Sequence, residues 1–181
     1  MYEESAGVPL IIAGPDIPAG VVCREPVTLV DCFPTILEAA GVPAHPDDAD
    51  LPGHSLFDLA RGIAPRRTVL CEYHAAGGAT GAFMTRHGPF KFVHYVGMLP
   101  MLFDLHRDPQ ERNDLGRDPG YRGLIRDCID DLRHIVDPEA VDRRARTDQA
   151  ARIAEFGGRQ AILARGSFSH SPIPGEKAAY S

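Results

Sequence analysis

Apolar residues fall into three different rhythms along this chain. In residues 8–13, Val8, Pro9, Leu10, Ile11, Ile12 and Ala13 follow one another without polar alternation. That pattern predicts a strand buried on both faces, as inside an α/β sheet. Gly14-Pro15 and Pro18 then mark a loop. The second rhythm is helical. Thr28 with Asp31 three residues later reads as a helix start, and Pro34 is tolerated within the first turn. Ile36 and Leu37 carry the helix to Gly41, a natural stop. Residues 42–53 are a loop rich in Pro and Asp, and residues 55–60 a short helix with Ser55 as N-cap.

The third rhythm is that of an antiparallel meander. Residues 68–74, 81–86, 90–96 and 101–105 read as four strands, with His87-Gly88-Pro89 as a tight hairpin connection. Period-2 alternation places Phe90 and Phe92 on one face and turns Lys91 to the other, solvated one. Leu70, Phe83, Phe92 and Phe103 are expected as the sheet core. The helix over 121–136 is expected to cover it with Leu124, Cys128, Leu132 and Ile135. Asp137-Pro138-Glu139 starts a further, highly charged helix, which Gly157-Gly158 weakens or breaks. The tail, 167–181, reads as extended. The expected fold class is α/β passing to α+β: a terminal core strand and helix, then a small four-stranded antiparallel sheet packed on a helix. Three segments are expected, at 1–66, 67–136 and 137–181.

Composition narrows the function. The chain has 181 residues and a net charge of −6, with acidic and basic residues interspersed. No basic stripe suits a nucleic acid. No apolar run reaches the roughly 18 residues of a membrane span. Glu3 and Glu4 replace the positive charge of a secretory signal. Cys23, Cys32, Cys71 and Cys128 form no CxxC pair, so they read as small core residues in a reducing compartment, and the expected location is cytoplasmic.

Several motifs then occur in a shared order. Leu102-Phe103-Asp104-Leu105, Asp108-Pro109, Glu111 and Asn113-Asp114-Leu115 resemble the "LFDL-x-x-DP-x-E-x-x-(N/D)-L" signature of sulfatases in the alkaline-phosphatase superfamily. Tyr2-Glu3-Glu4-Ser5 with Val8-Pro9-Leu10-Ile11 looks like their "YEES-x-x-VPLI" segment. Asp31, Pro34-Thr35-Ile36-Leu37 and Ala40-Gly41 look like "D-x-x-PT-(I/L)-L-x-x-AG", and Gly53-His54-Ser55-Leu56 matches "G-x-SL". Asp137-Pro138-Glu139 and Gly157-Gly158 are similar to the arylsulfatase and choline-sulfatase-like branch. The resemblance implies the C-terminal part of an alkaline-phosphatase-like fold. In that family the nucleophile, a formylglycine made from a "C/S-x-P-x-R" motif, and a divalent cation (calcium or similar) belong mainly to earlier segments. No such motif occurs in this chain, so no catalytic residue, metal ligand or cofactor is assigned to it. The implied partners are a missing N-terminal sulfatase portion, a small-molecule sulfate ester in the complete enzyme, and a second copy of the chain through its tail. The alternatives are a fragment of a phosphonate monoester or phosphodiester hydrolase, and a non-catalytic oligomerisation or substrate-pocket module.

A few residues invite chemistry individually. Glu72, Tyr73 and His74 end a strand before a Gly-rich loop, which suits contact with substrate or the structural fixing of a strand end. Arg86, with His87 and Lys91, suits either an oxyanion or a solvated hairpin tip. Glu72, His74 and Arg86 are therefore the candidate substrate-binding residues. Asp104, Asp108, Glu111 and Asp114 do not have calcium-loop spacing and contain Pro109; Asp104 and Asp108 suit turn caps. Asp31, His54 and Ser55 could be drawn as a triad, but no nucleophile-elbow sequence surrounds Ser55.

Overall fold

The computed structural model describes residues 1–63, 67–74 and 78–166. The expectations for the tail at 167–181 and for part of the Gly-rich loop lie outside the described residues. The chain divides into two compact units, Met1–Pro138 and a second that begins at Glu139.

The first unit is organised by a sheet of β1 (Val69–Tyr73), β2 (Ala82–His87), β3 (Phe90–Tyr95) and β4 (Met101–Asp104). The strands pair antiparallel in the order β1-β2-β3-β4, as a meander must when short connections join sequential strands. Gly88, at φ 56°, supplies the left-handed residue that the two-residue connection from β2 to β3 requires. The register fixes two faces. One carries Val69, Cys71, Met84, Arg86, Lys91, Val93, Met101 and Phe103. The other carries Leu70, Glu72, Phe83, Thr85, Phe92, His94 and Leu102.

Both faces are covered. Phe83, Phe92 and Leu102 are buried on one side, Met84, Val93 and Phe103 on the other. This corrects two expectations. Phe103 does not share a core with Phe83 and Phe92, because it lies on the opposite face. Lys91 does not point to solvent: its relative exposure is 0%. The period-2 alternation was sound, but the face opposite Phe92 is not wet.

The outer edge of β4 is closed by the following loop. The Leu102 N–H donates to Asp114 Oδ1 at 3.0 Å, and the Leu115 N–H to the Leu102 carbonyl at 2.8 Å. Asp104 Oδ1 accepts from the His106 and Arg107 N–H groups, and Asp108 Oδ2 from the Asn113 N–H. These are the turn-capping roles expected of short carboxylates. Helix α4 (Arg122–Ile135) packs against β3 with Cys128 and Leu132 buried, while Ile135, expected on that face, is exposed.

Before the sheet come α1 (Glu3–Ala6), α2 (Cys32–Ala40) and α3 (Leu56–Ala60). Gly41 ends α2 in the left-handed conformation. Asp31, fully buried, ties this region together. Its carboxylate accepts the Thr28 N–H at 2.9 Å, the His54 N–H at 3.0 Å and the Arg67 guanidinium. Burial pushes the Asp31 carboxyl up, but these hydrogen bonds and the Arg67 charge together hold it below its usual value. Thr35 Oγ1 donates to the Asp31 carbonyl and accepts the Leu56 N–H, joining α2 to α3.

Residues 8–13 form no strand in the structure. Val8, Leu10 and Ile11 are exposed, Ile11 by 90%. A strand needs ladder partners, and the described residues pair none with this segment. The cysteines also differ from expectation. Only Cys128 is buried, whereas Cys23 and Cys71 are exposed. Burial, with Asp131 and Asp127 nearby, pushes the Cys128 thiol up to about 11.

The second unit contains most of α5 (Pro138–Glu155) and α6 (Arg159–Ala164). Helix α5 is polar around its circumference and carries ion pairs at helical spacing, Arg146–Asp142 at 2.8 Å and Arg152–Glu155 at 2.7 Å. Gly157 and Gly158, at φ 85° and 89°, separate it from α6.

Candidate functional site

The sheet register decides which candidate residues meet. Glu72 lies opposite Phe83 on β2, which in turn lies opposite His94 on β3. His74 follows the end of β1. Its Nε2 sits 3.4 Å from Glu72 Oε2, and its ring meets the buried Phe83 edge-on at 5.2 Å. The Glu72 side chain is 46% exposed and the imidazole 21%. The pair therefore stands at a strand end with a fixed ring and an accessible acceptor. It can accept or donate hydrogen bonds to a polar ligand.

Arg86 does not join that pair. It is three residues beyond Phe83 along β2, about 10 Å at strand rise, and on the opposite face. Its guanidinium reaches Glu3 Oε1 at 3.4 Å and the Gly88 carbonyl at 3.3 Å. Lys91 lies directly across from it. Lys91 Nζ pairs with Glu111 Oε1 at 2.7 Å and Glu3 Oε1 at 3.1 Å. Glu111 Oε2 also accepts the Glu3 backbone N–H at 2.6 Å. Arg86, Glu3, Lys91 and Glu111 thus form a chain of alternating charge that reaches α1 through Glu3.

Sequence reasoning missed Glu3, Lys91 and Glu111 as members of one group. A signal for Lys91 was present. Ala82, Phe83 and Met84, then Phe92 and Val93, then Leu102 and Phe103, are consecutive apolar residues, and such runs mark strands covered on both sides. A lysine within such a strand requires a buried partner. The Glu3–Glu111 contact spans 108 positions, beyond the reach of any local pattern.

The triad drawn on paper does not assemble. Asp31 holds the His54 backbone N–H, while Ser55 Oγ caps α3 through the Phe57 N–H at 3.3 Å and donates to Glu38. An apolar depression of about 280 Å³ lies beside α2, lined in part by Phe33, Leu37 and Leu51; none of Glu72, His74 and Arg86 lines it. Among the described residues, no three His, Cys, Asp or Glu side chains converge to hold a metal ion.

Comparison with known proteins gives this arrangement a family. Residues 1–137 match the family described as N-sulphoglucosamine sulphohydrolase, C-terminal. Arylsulfatase K of Danio rerio is 33% identical over 152 residues, covering 79% of this chain and 28% of that protein. The human arylsulfatase K is 36% identical over 124 residues, covering 61% and 22%. A phosphonate monoester hydrolase from Silicibacter pomeroyi shares the fold, with a TM-score of 0.54, 24% identity, and coverage of 67% of this chain and 27% of that one. The chain spans about a quarter of the length of the curated relatives it matches. With a matched region that takes in the meander and its covering helix, the chain belongs to the family of N-sulphoglucosamine sulphohydrolase C-terminal domains.

Proposed function

We propose that this chain is the C-terminal portion of a metal-dependent sulfuric ester hydrolase and completes an enzyme whose nucleophile and cation site belong to an upstream portion. The observation that carries this reading is the family match over residues 1–137, in a chain about a quarter as long as its relatives. The exposed apolar side chains agree with it. Val8, Ile11, Val22, Leu29, Phe33 and Ile36 are all open to solvent in the structure, a concentration suited to a covering protein surface.

A divalent cation and a formylglycine would supply charge stabilisation and a nucleophile in such an enzyme. The described residues of this chain do not fit a cation site, so no step of the reaction is assigned to them. Their role in this reading is to shape the substrate side. Glu72 accepts hydrogen bonds from the sulfate ester's alcohol portion, and His74, steadied by Phe83, holds the neighbouring group. Arg86 is assigned to the buried charge chain. We place contact with a second copy on the second unit, where Ile153, Phe156 and Leu163 are exposed.

The test compares the chain expressed alone with the chain expressed together with the reading frame preceding Met1. The longer protein is expected to release sulfate from an aryl sulfate and to lose that activity on chelation. In it, Glu72→Gln and His74→Ala should raise KM more than they lower kcat. Chelator-sensitive turnover by the 181-residue chain alone would overturn the reading.

A further inference from the structure

The signature around Asp108-Pro109-Gln110-Glu111 has a role that the proposed function does not use. Its glutamate is buried, and its backbone occupies the left-handed region at φ 52°, where a non-glycine residue is strained. The fold tolerates that strain at a residue whose carboxylate makes two specific contacts. One oxygen pairs with Lys91 Nζ at 2.7 Å, and the other accepts the Glu3 N–H at 2.6 Å. The Glu3 carboxylate returns to the same lysine at 3.1 Å and to Arg86 at 3.4 Å.

Little else holds the first turn. No residue of α1 is buried, and Val8, Leu10 and Ile11 beyond it are exposed. The ring of Tyr2 lies 5.9 Å from that of Phe103, but Tyr2 itself is about half exposed. Apolar packing is therefore thin where the polar contacts are dense.

We infer that Glu111 and Lys91 are positioning residues: they latch the Tyr2–Glu3 segment onto the sheet and so fix where the polypeptide preceding Tyr2 meets this unit. The latch works because the Glu3 N–H is a first-turn donor with no intrahelical acceptor, and Glu111 supplies one in a place that Lys91 has made favourable for a carboxylate. The occupant is specific. It is the chain's own residues 2–3, held by a backbone N–H and a carboxylate together. Only in naming what lies upstream does the inference rest on the hydrolase reading; the contact itself is within this chain.

Hydrogen exchange on the 181-residue chain tests it without any activity assay, so a failed hydrolase reading and a failed latch give different results. Glu111→Gln should speed exchange at the amides of residues 3–7 by about tenfold while β2 and β3 amides keep their protection. Because leaving Lys91 unpaired can unfold the unit, the double variant Lys91→Met with Glu111→Leu is the second arm. It leaves neither charge orphaned. Sheet protection should be retained in it, with residues 3–7 still released. If residues 3–7 stay as protected as in the unaltered chain, Glu111 and Lys91 do not hold them. If they and the sheet lose protection together in the double variant, the pair serves general stability. Either outcome overturns the inference.

Discussion

The sheet and the segment before it carry similar side chains and treat them in opposite ways. In the meander, Phe83, Phe92, Leu102 and Phe103 are withdrawn from water, and each strand finds its hydrogen-bond partners in the next. In residues 8–36, Ile11 is 90% exposed, Val22 78% and Leu29 75%. The difference lies in the partners at hand. In the meander, hairpin neighbours arrive a few residues later, whereas the described residues offer residues 8–13 no ladder partner. Hydrophobicity alone therefore does not decide burial.

This contrast predicts a steep gradient of mutational cost. The largest effects belong to the sheet. Lys91→Ala should cost about 3–5 kcal/mol in chemical denaturation, because it strands Glu111 buried and without its cation. Phe103→Ala and Phe92→Ala should each cost a similar ~3–5 kcal/mol by removing a buried ring. Equal sensitivity to substitution on both faces would establish that both are core. A near-neutral Lys91→Ala would break the comparison at its most specific point.

A smaller effect is expected at Asp31. Its carboxyl titrates below the usual 3.8 when folded, so its contribution is fully present above that value. It is lost as pH falls through the lower, folded value, where the unfolded state binds the proton more readily. Asp31→Asn should flatten the acid limb of a stability-versus-pH curve and lower stability at neutral pH, where Arg67 loses its partner. An unchanged acid limb would contradict the burial and bonding described for it.

The smallest effects belong to the exposed segment. Ile11→Ser and Leu29→Ser should change stability by no more than about 0.5 kcal/mol. Both should reduce self-association in sedimentation velocity, because each removes an exposed apolar side chain. A loss as large as that of Phe92→Ala would mean that these residues are buried in solution.

Most of the architecture was legible where structure is local. The four strands differ from expectation by a residue or two at their ends. Gly41 stops α2, Ser55 caps α3, and Asp104 and Asp108 cap turns, because each acts on backbone groups within a few positions. Illegibility began where partners are distant. The pattern at residues 8–13 is a genuine strand signal without a ladder in the described chain. Glu3 and Glu111 meet across nearly the whole first unit. Glu72 and His74 were foreseeable as a pair from their shared strand end. The separation of Arg86 from them depends on the sheet's register, which no single strand reveals.

The lysine inside the sheet has a further consequence for how the chain avoids trapped states. A strand greasy on both sides can be flipped over with little change in the apolar area it hides. Such near-degeneracy roughens a folding landscape. In β3, flipping would drive an ammonium into the side lined by Phe83 and Leu102 and away from Glu111 and Glu3, its partners in the structure. Lys91 thus makes the wrong-side-up arrangement expensive, because it parts the ammonium from Glu111 and Glu3. The same side chain that completes the charge chain also marks which way up β3 must lie.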